Sequence, residues 1–103
     1  LVLSTPIIAW HLDQVLPGLD AEQRRDPSIS PLFADLDGLP PALLTVGTDD
    51  PLLDDSRRLA ARWPDAVLDV YEAGFHAFDL MPLALGELAT QRQLAFVRER
   101  LSA

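Results

Sequence analysis

The 103-residue sequence predicts an α/β fold that holds only part of a parallel sheet. Three observations carry that reading. Leu43-Leu44-Thr45-Val46 is a short continuous apolar run bounded by Pro41 and Gly47, the pattern of a strand covered on both faces. A helical pattern and a second extended segment follow it, making one right-handed βαβ unit with a crossover long enough for parallel pairing. No other stretch reads as a strand, and a two-stranded parallel sheet cannot bury its faces and its edges. The chain therefore reads as part of a larger sheet.

The elements follow in order. Residues 1–18 hold a helix: Thr5 is a hydroxyl cap, Pro6 suits the first helical position, and Pro17-Gly18 ends the run. Ile8, Leu12 and Val15 recur at spacings of four and three, giving one apolar face over residues 5–16. Trp10 and His11 read as surface or helix-packing residues. Residues 19–41 form a polar connection in which Asp26-Pro27, Ser30-Pro31 and Pro40-Pro41 bias each preceding residue away from helix. Within it Leu32-Phe33-Ala34 can make one short turn. A connection this long usually has a job or belongs to a larger architecture.

The βαβ unit spans residues 42–73. After the first strand, Leu52, Ser56, Leu59 and Trp63 fall at helical spacing and Pro64 stops the helix. Val67 to Glu72 form the second strand, which Asp69 and Glu72 mark as the less buried of the two. Residues 74–82 are a loop opening on Gly74-Phe75-His76-Ala77-Phe78. A last helix covers 83–101, with Leu94, Val97 and Leu101 on one apolar stripe.

Composition narrows the function classes. Hydrophobic residues at 49% and charged residues at 23% are ordinary for a globular chain and argue against disorder. The net charge of -8 repels phosphate backbones, so no nucleic-acid partner is expected. No apolar run approaches the ~20 residues of a membrane span. Cysteine is absent, which excludes disulfides and thiolate metal sites and leaves the redox compartment undetermined. The opening residues lack a charged leader region, so a cytoplasmic location is expected; a start on Leu1 suggests a fragment.

The chemistry concentrates in LTVGTDDPLLDDS, residues 44–56. Asp54 and Asp55 sit where a helix macrodipole favours negative charge, and Asp50 before Pro51 can serve simply as a cap. A metal site fits poorly, since EF-hand spacing and a nearby histidine pair are both missing. Geometry offers another reading. In open parallel sheets ligands bind beyond the carboxyl ends of strands. Asp49 and Asp50 fall just past the first strand and His76 just past the second. On one rim, a carboxylate can hold the imidazole's tautomer and stabilise the imidazolium formed in acyl transfer.

The stretches DPSISPLFADLDGLPPALLTVGTDDPLLDDSRRLAARW (26–63) and VLDVYEAGFHAF (67–78) resemble the C-terminal part of α/β-hydrolases of the hormone-sensitive-lipase-like esterase group. That group shows Asp-Pro…Ser-Pro-Leu, then Leu-Pro-Pro-Ala-Leu, a strand ending in Gly-x-x-Asp-Pro-Leu-x-Asp, and a loop bearing His and Phe. The resemblance implies the last two parallel strands of an α/β-hydrolase fold with flanking helices, the sheet being incomplete in this chain. It puts Asp50 at the catalytic acid and His76 at the general base, with Asp49 in reserve. It also implies a small-molecule ester substrate in the intact protein and no cofactor or metal. The partners it implies are the rest of the hydrolase chain or, through residues 67–72 and 83–101, a second copy.

Such enzymes also need a serine in Gly-x-Ser-x-Gly and a His-Gly-Gly-Gly-type oxyanion loop. None of Ser4, Ser28, Ser30, Ser56 or Ser102 lies between flanking glycines, and Ser56 reads as a small packing residue. These residues alone are therefore expected to lack esterase activity. A non-catalytic interaction remnant is the alternative. A doubly wound regulator also fits the βαβ unit but leaves the Asp-Pro and Gly-Phe-His loops unexplained.

Overall fold

A computed structural model describes residues 3–102; Leu1, Val2 and Ala103, and with them the first two residues of the 1–18 segment, lie outside the described residues. Helix α1 (Thr5–Val15) begins one position earlier than its sequence suggests. Ser4 is extended and its hydroxyl accepts from Ile7 N–H, so Ser4 is the cap and Thr5 is already helical. Both residues are good caps, and the local sequence does not discriminate between them. No α1 residue is buried, and Ile7, Leu12 and Val15 are exposed. Arg24 ties the helix to the connection, its Nη2 donating to Asp13 Oδ1 at 2.7 Å and to the Leu16 carbonyl at 3.3 Å.

The connection from α1 contains two 3₁₀ turns, Gln23–Arg25 and Pro31–Phe33, the latter covering Leu32-Phe33 but ending before Ala34. Its far end is fastened to helix α2 (Leu53–Arg62). Arg62 donates to the Leu32 and Ala34 carbonyls, and Trp63 Nε1 donates to Pro40 O. These bonds satisfy backbone oxygens in a segment that has no ladder of its own. Leu36 is its one buried apolar anchor among the described residues.

Strands β1 (Ala42–Gly47) and β2 (Ala66–Tyr71) pair in parallel, in register from Ala42 opposite Ala66 to Gly47 opposite Tyr71. Val46 and Gly47 are buried while no β2 residue is, which makes β2 the less covered strand. Among the described residues the sheet has these two strands, an α/β arrangement with an incomplete sheet. No described helix is long and apolar enough to cross a membrane.

Helix α3 (Ala84–Leu101) carries the expected apolar stripe on its outer face. Leu94, Val97 and Leu101 do share a face, but they are 50%, 51% and 82% exposed. The inward face instead carries Gly86, Ala89, Gln93 and Phe96, with Arg92 beside it. The reason lies in the sheet. Register partners Thr45 and Asp69 point toward α3, where Gln93 Nε2 reaches Thr45 Oγ1 at 3.3 Å and Arg92 Nε reaches Asp69 Oδ2 at 3.1 Å. A polar patch on the sheet selects polar residues on the helix, and the apolar stripe is left on the outer face.

Candidate active site

The site is built at the carboxyl ends of β1 and β2, where the hydrogen-bonded pairing continues past the strands. Thr48 N–H donates to Tyr71 O at 2.9 Å, and Asp49 N–H donates to Gly74 O at 3.0 Å. Thr48 Oγ1 accepts from Ala73 N–H at 2.8 Å. These bonds stitch the loop after β1 to the loop after β2. Gly47 and Gly74 let the two loops touch: a Cβ on Gly47 would lie 1.8 Å from Gly74 O. No other residue fits there without moving backbone.

Within that frame Asp50 and His76 meet. Asp50 Oδ2 lies 3.0 Å from His76 Nδ1. A carboxylate can only accept, so Nδ1 carries a proton, and in the neutral ring the lone pair is then on Nε2. The other oxygen, Asp50 Oδ1, accepts Leu52 N–H at 2.8 Å. The Asp50 side chain is only 8% exposed. One oxygen thus shapes the turn into α2 and the other fixes the imidazole. Among the described residues Asp50 alone hydrogen-bonds the His76 ring.

The remaining aspartates of the stretch separate clearly. Asp49 is exposed and contributes its backbone N–H rather than its carboxylate. Asp54 and Asp55 occupy the first turn of α2 and pair loosely with Arg57 and Arg58 at 3.6 and 3.8 Å. Ser56 is half-buried, its hydroxyl donating to Leu52 O one turn back. No group of three or more metal-ligating side chains gathers among the described residues.

The histidine loop is held under conformational tension and clamped from below. Ala73 and Ala77, three residues before His76 and one after, have φ of 61° and 63°. The left-handed region costs a residue with a Cβ roughly 1–2 kcal/mol. Buried Phe78 packs 5.3 Å from the Tyr71 ring, and its own ring lies under Gly74. Burial pushes the Tyr71 hydroxyl above its ordinary range; the Asp69 charge adds to this and Arg92 partly offsets it.

Comparisons with known proteins agree with this architecture. A family model described as the alpha/beta hydrolase fold matches residues 1–80. The chain belongs to the α/β-hydrolase family. Its relatives within that family are esterases and lipases. An esterase of Acinetobacter venetianus is 46% identical over 69 residues, covering 67% of this chain and 20% of that protein. The solved esterase/lipase from an uncultured bacterium is 35% identical with a TM-score of 0.85, covering 96% of this chain and 35% of that one. The hyperthermophilic esterase of the archaeon Pyrobaculum calidifontis is 29% identical with a TM-score of 0.84, covering 100% of this chain and 35% of that one. This hydrolase-family chain thus spans about a third or less of the relatives it matches.

Of the residues to which the sequence points, Asp50 and His76 come together and the Asp49 carboxylate stays outside. Thr48, Asp79 and Gln93 carry no local signal, because their contacts are to other elements of the chain. Gly47 and Gly74 carried a usable signal. Each glycine precedes its polar residue at the end of a strand, where a close backbone approach is most valuable.

Proposed function

We propose that these residues are the acid-and-histidine portion of a serine carboxylic-ester hydrolase acting on a short or medium acyl ester. The observation that carries the reading is the 3.0 Å contact between Asp50 Oδ2 and His76 Nδ1 at the rim of two adjacent parallel strands. Membership of a family whose relatives are named esterases supports it. The serine and oxyanion donors belong, in this reading, to the part of the hydrolase outside these 103 residues.

The chemistry follows from the tautomer. With Nδ1–H committed to Asp50, His76 Nε2 takes the proton as serine Oγ attacks the ester carbonyl. Asp50 stabilises the imidazolium so formed. Nε2 then returns the proton to the departing alkoxide, leaving an acyl-serine. Water repeats the sequence: Nε2 removes its proton, the acyl–oxygen bond breaks, and serine is reprotonated as the acid leaves.

The 103-residue chain alone is expected to show no ester hydrolysis above background, because loss of the nucleophile removes about 10⁶-fold where measured. A fluorophosphonate probe should leave it unlabelled. Stoichiometric labelling of one of its five serines would overturn the assignment.

The exposed Leu94, Val97 and Leu101 favour a second reading, an interaction remnant whose α3 face pairs with another chain or with itself. Light scattering after size exclusion separates the two. A well-behaved monomer counts against the remnant.

A further inference from the structure

One amide nitrogen links the two halves of the site from beneath. Gln93 Nε2, on the inward face of α3, donates to Asp79 Oδ2 at 3.0 Å and to Thr45 Oγ1 at 3.3 Å. Thr45 lies on β1, the strand that leads into Asp50. Asp79 lies in the 3₁₀ turn Phe78–Leu80, which directly follows His76 and Ala77. The two protons of a single NH₂ group therefore tie the acid's strand to the histidine's loop. All three side chains are half-buried, where a hydrogen bond is worth more than at the surface.

The surroundings make this tie rigid. Gly86 brings α3 against the same turn: a Cβ there would stand 2.7 Å from Phe78 O and 2.8 Å from Met81 O. The upstream end of the loop is fixed by Thr48 to Ala73 N–H and by Gly74 O to Asp49 N–H. Between these two anchors runs a short segment that includes the left-handed Ala73 and Ala77 and carries His76. The anchor downstream of His76 runs through Asp79, and Gln93 holds its carboxylate.

We infer that Gln93 is a positioning residue for the Asp50–His76 pair, setting the histidine loop against β1 through its bonds to Asp79 and Thr45. The role rests on the proposed hydrolase reading. Gln93 does not reach the reacting atoms. Its effect is on where His76 Nε2 points, and a displacement of about 1 Å in such a group can cost 10²-fold in rate.

The polarity of the link provides the test. Gln93→Glu sets a second carboxylate against Asp79, whereas Gln93→Glu with Asp79→Asn reverses donor and acceptor and restores the bond. In the whole hydrolase, kcat and KM are measured with p-nitrophenyl butyrate and rates are normalised to active sites titrated with a fluorophosphonate. Gln93→Glu should lower kcat per active site about 10- to 100-fold with KM within about twofold. The double variant should recover to within about threefold of wild type. A role in stability alone would reduce the number of titratable sites and leave kcat per site unchanged, and that result overturns the inference, as does failure of the double variant to recover. Asp50→Asn and His76→Ala run alongside. If they are inactive while Gln93→Glu is normal, only the positioning role falls; if they are fully active, it falls together with the reading beneath it.

Discussion

Gly47 and Gly74 meet backbone to backbone at the point where the two strands end, with no room for a methyl group between them. A Cβ on Gly47 would lie 1.8 Å from Gly74 O, whereas one on Gly74 would lie 3.0 Å from Gly47 Cα and from the Phe78 ring. Neither glycine has a positive φ; the requirement is space. The contact brings the Asp50 and His76 loops within reach of each other, so it joins packing to chemistry.

The two glycines should therefore respond unequally to alanine. Gly47→Ala forces backbone apart and is expected to cost about 3 kcal/mol or to prevent folding, at the upper end of overpacking effects. Gly74→Ala meets Gly47 Cα and the Phe78 ring at 3.0 Å, contacts that a few tenths of an ångström relieve, and about 1–2 kcal/mol is expected. Urea denaturation of the whole protein ranks them. The reverse order would mean that the loops approach each other differently.

Asp50 and Asp49 are neighbours in sequence with opposite environments. Asp50→Asn leaves the site's shape intact but presents an amide that can hold His76 in the wrong tautomer. A loss of about 10⁴ in kcat is expected, as for the equivalent change in serine proteases. Asp49→Asn should change kcat by less than about threefold, since its carboxylate is exposed and its backbone N–H remains. Steady-state kinetics on the whole hydrolase decides between them. A dead Asp49→Asn beside an active Asp50→Asn would reverse the assignment.

What could be read in advance, and what could not, divides along a physical line. β1 was legible because an apolar run between Pro41 and Gly47 is local information, and so was α2, where helical spacing ends at Pro64. Asp49, Asp50 and His76 were legible as rim residues because all three follow strand ends that a parallel sheet places together, and the resemblance to hydrolases then singled out Asp50. The inward face of α3 was hidden. Gln93 and Arg92 face the sheet only because Thr45 and Asp69 await them, a pairing made across more than twenty residues of chain. The one-residue shift of the α1 cap from Thr5 to Ser4 is of another kind, two adequate hydroxyls competing for one position.

The inward face of α3 has a direct stability test. Phe96 is 8% exposed and lies under the Arg92 and Arg100 guanidinium groups, whose carbons stand 6.0 and 4.9 Å from its ring centre. Phe96→Ala is expected to cost about 3–4 kcal/mol through the cavity it leaves. Leu94→Ala, at a half-exposed position, should cost under about 1 kcal/mol. Chemical denaturation that found Leu94 the more costly of the two would place the stripe Leu94, Val97 and Leu101 in the core instead.

Tyr71 offers a pH-dependent signature that can be followed by itself, since it is the sole tyrosine in the sequence. Burial disfavours the phenolate most, the Asp69 charge adds to this, and Arg92 offsets part of it. The folded state therefore holds the proton more tightly than the unfolded state. The sign follows: the stabilisation is complete below the unfolded tyrosine's pKa of about 10 and is lost as pH rises from there through the folded value. Absorbance at 295 nm should show the phenolate appearing later in the folded chain than in urea. Asp69→Asn should bring its midpoint down, and neutralising Arg92 with Arg92→Gln should move it further up. Tyr71→Phe should flatten the decline of stability across the same interval. Coincident folded and unfolded titrations would show that the Tyr71 hydroxyl is solvated, and would remove the burial on which the packing of Tyr71 against Phe78 depends.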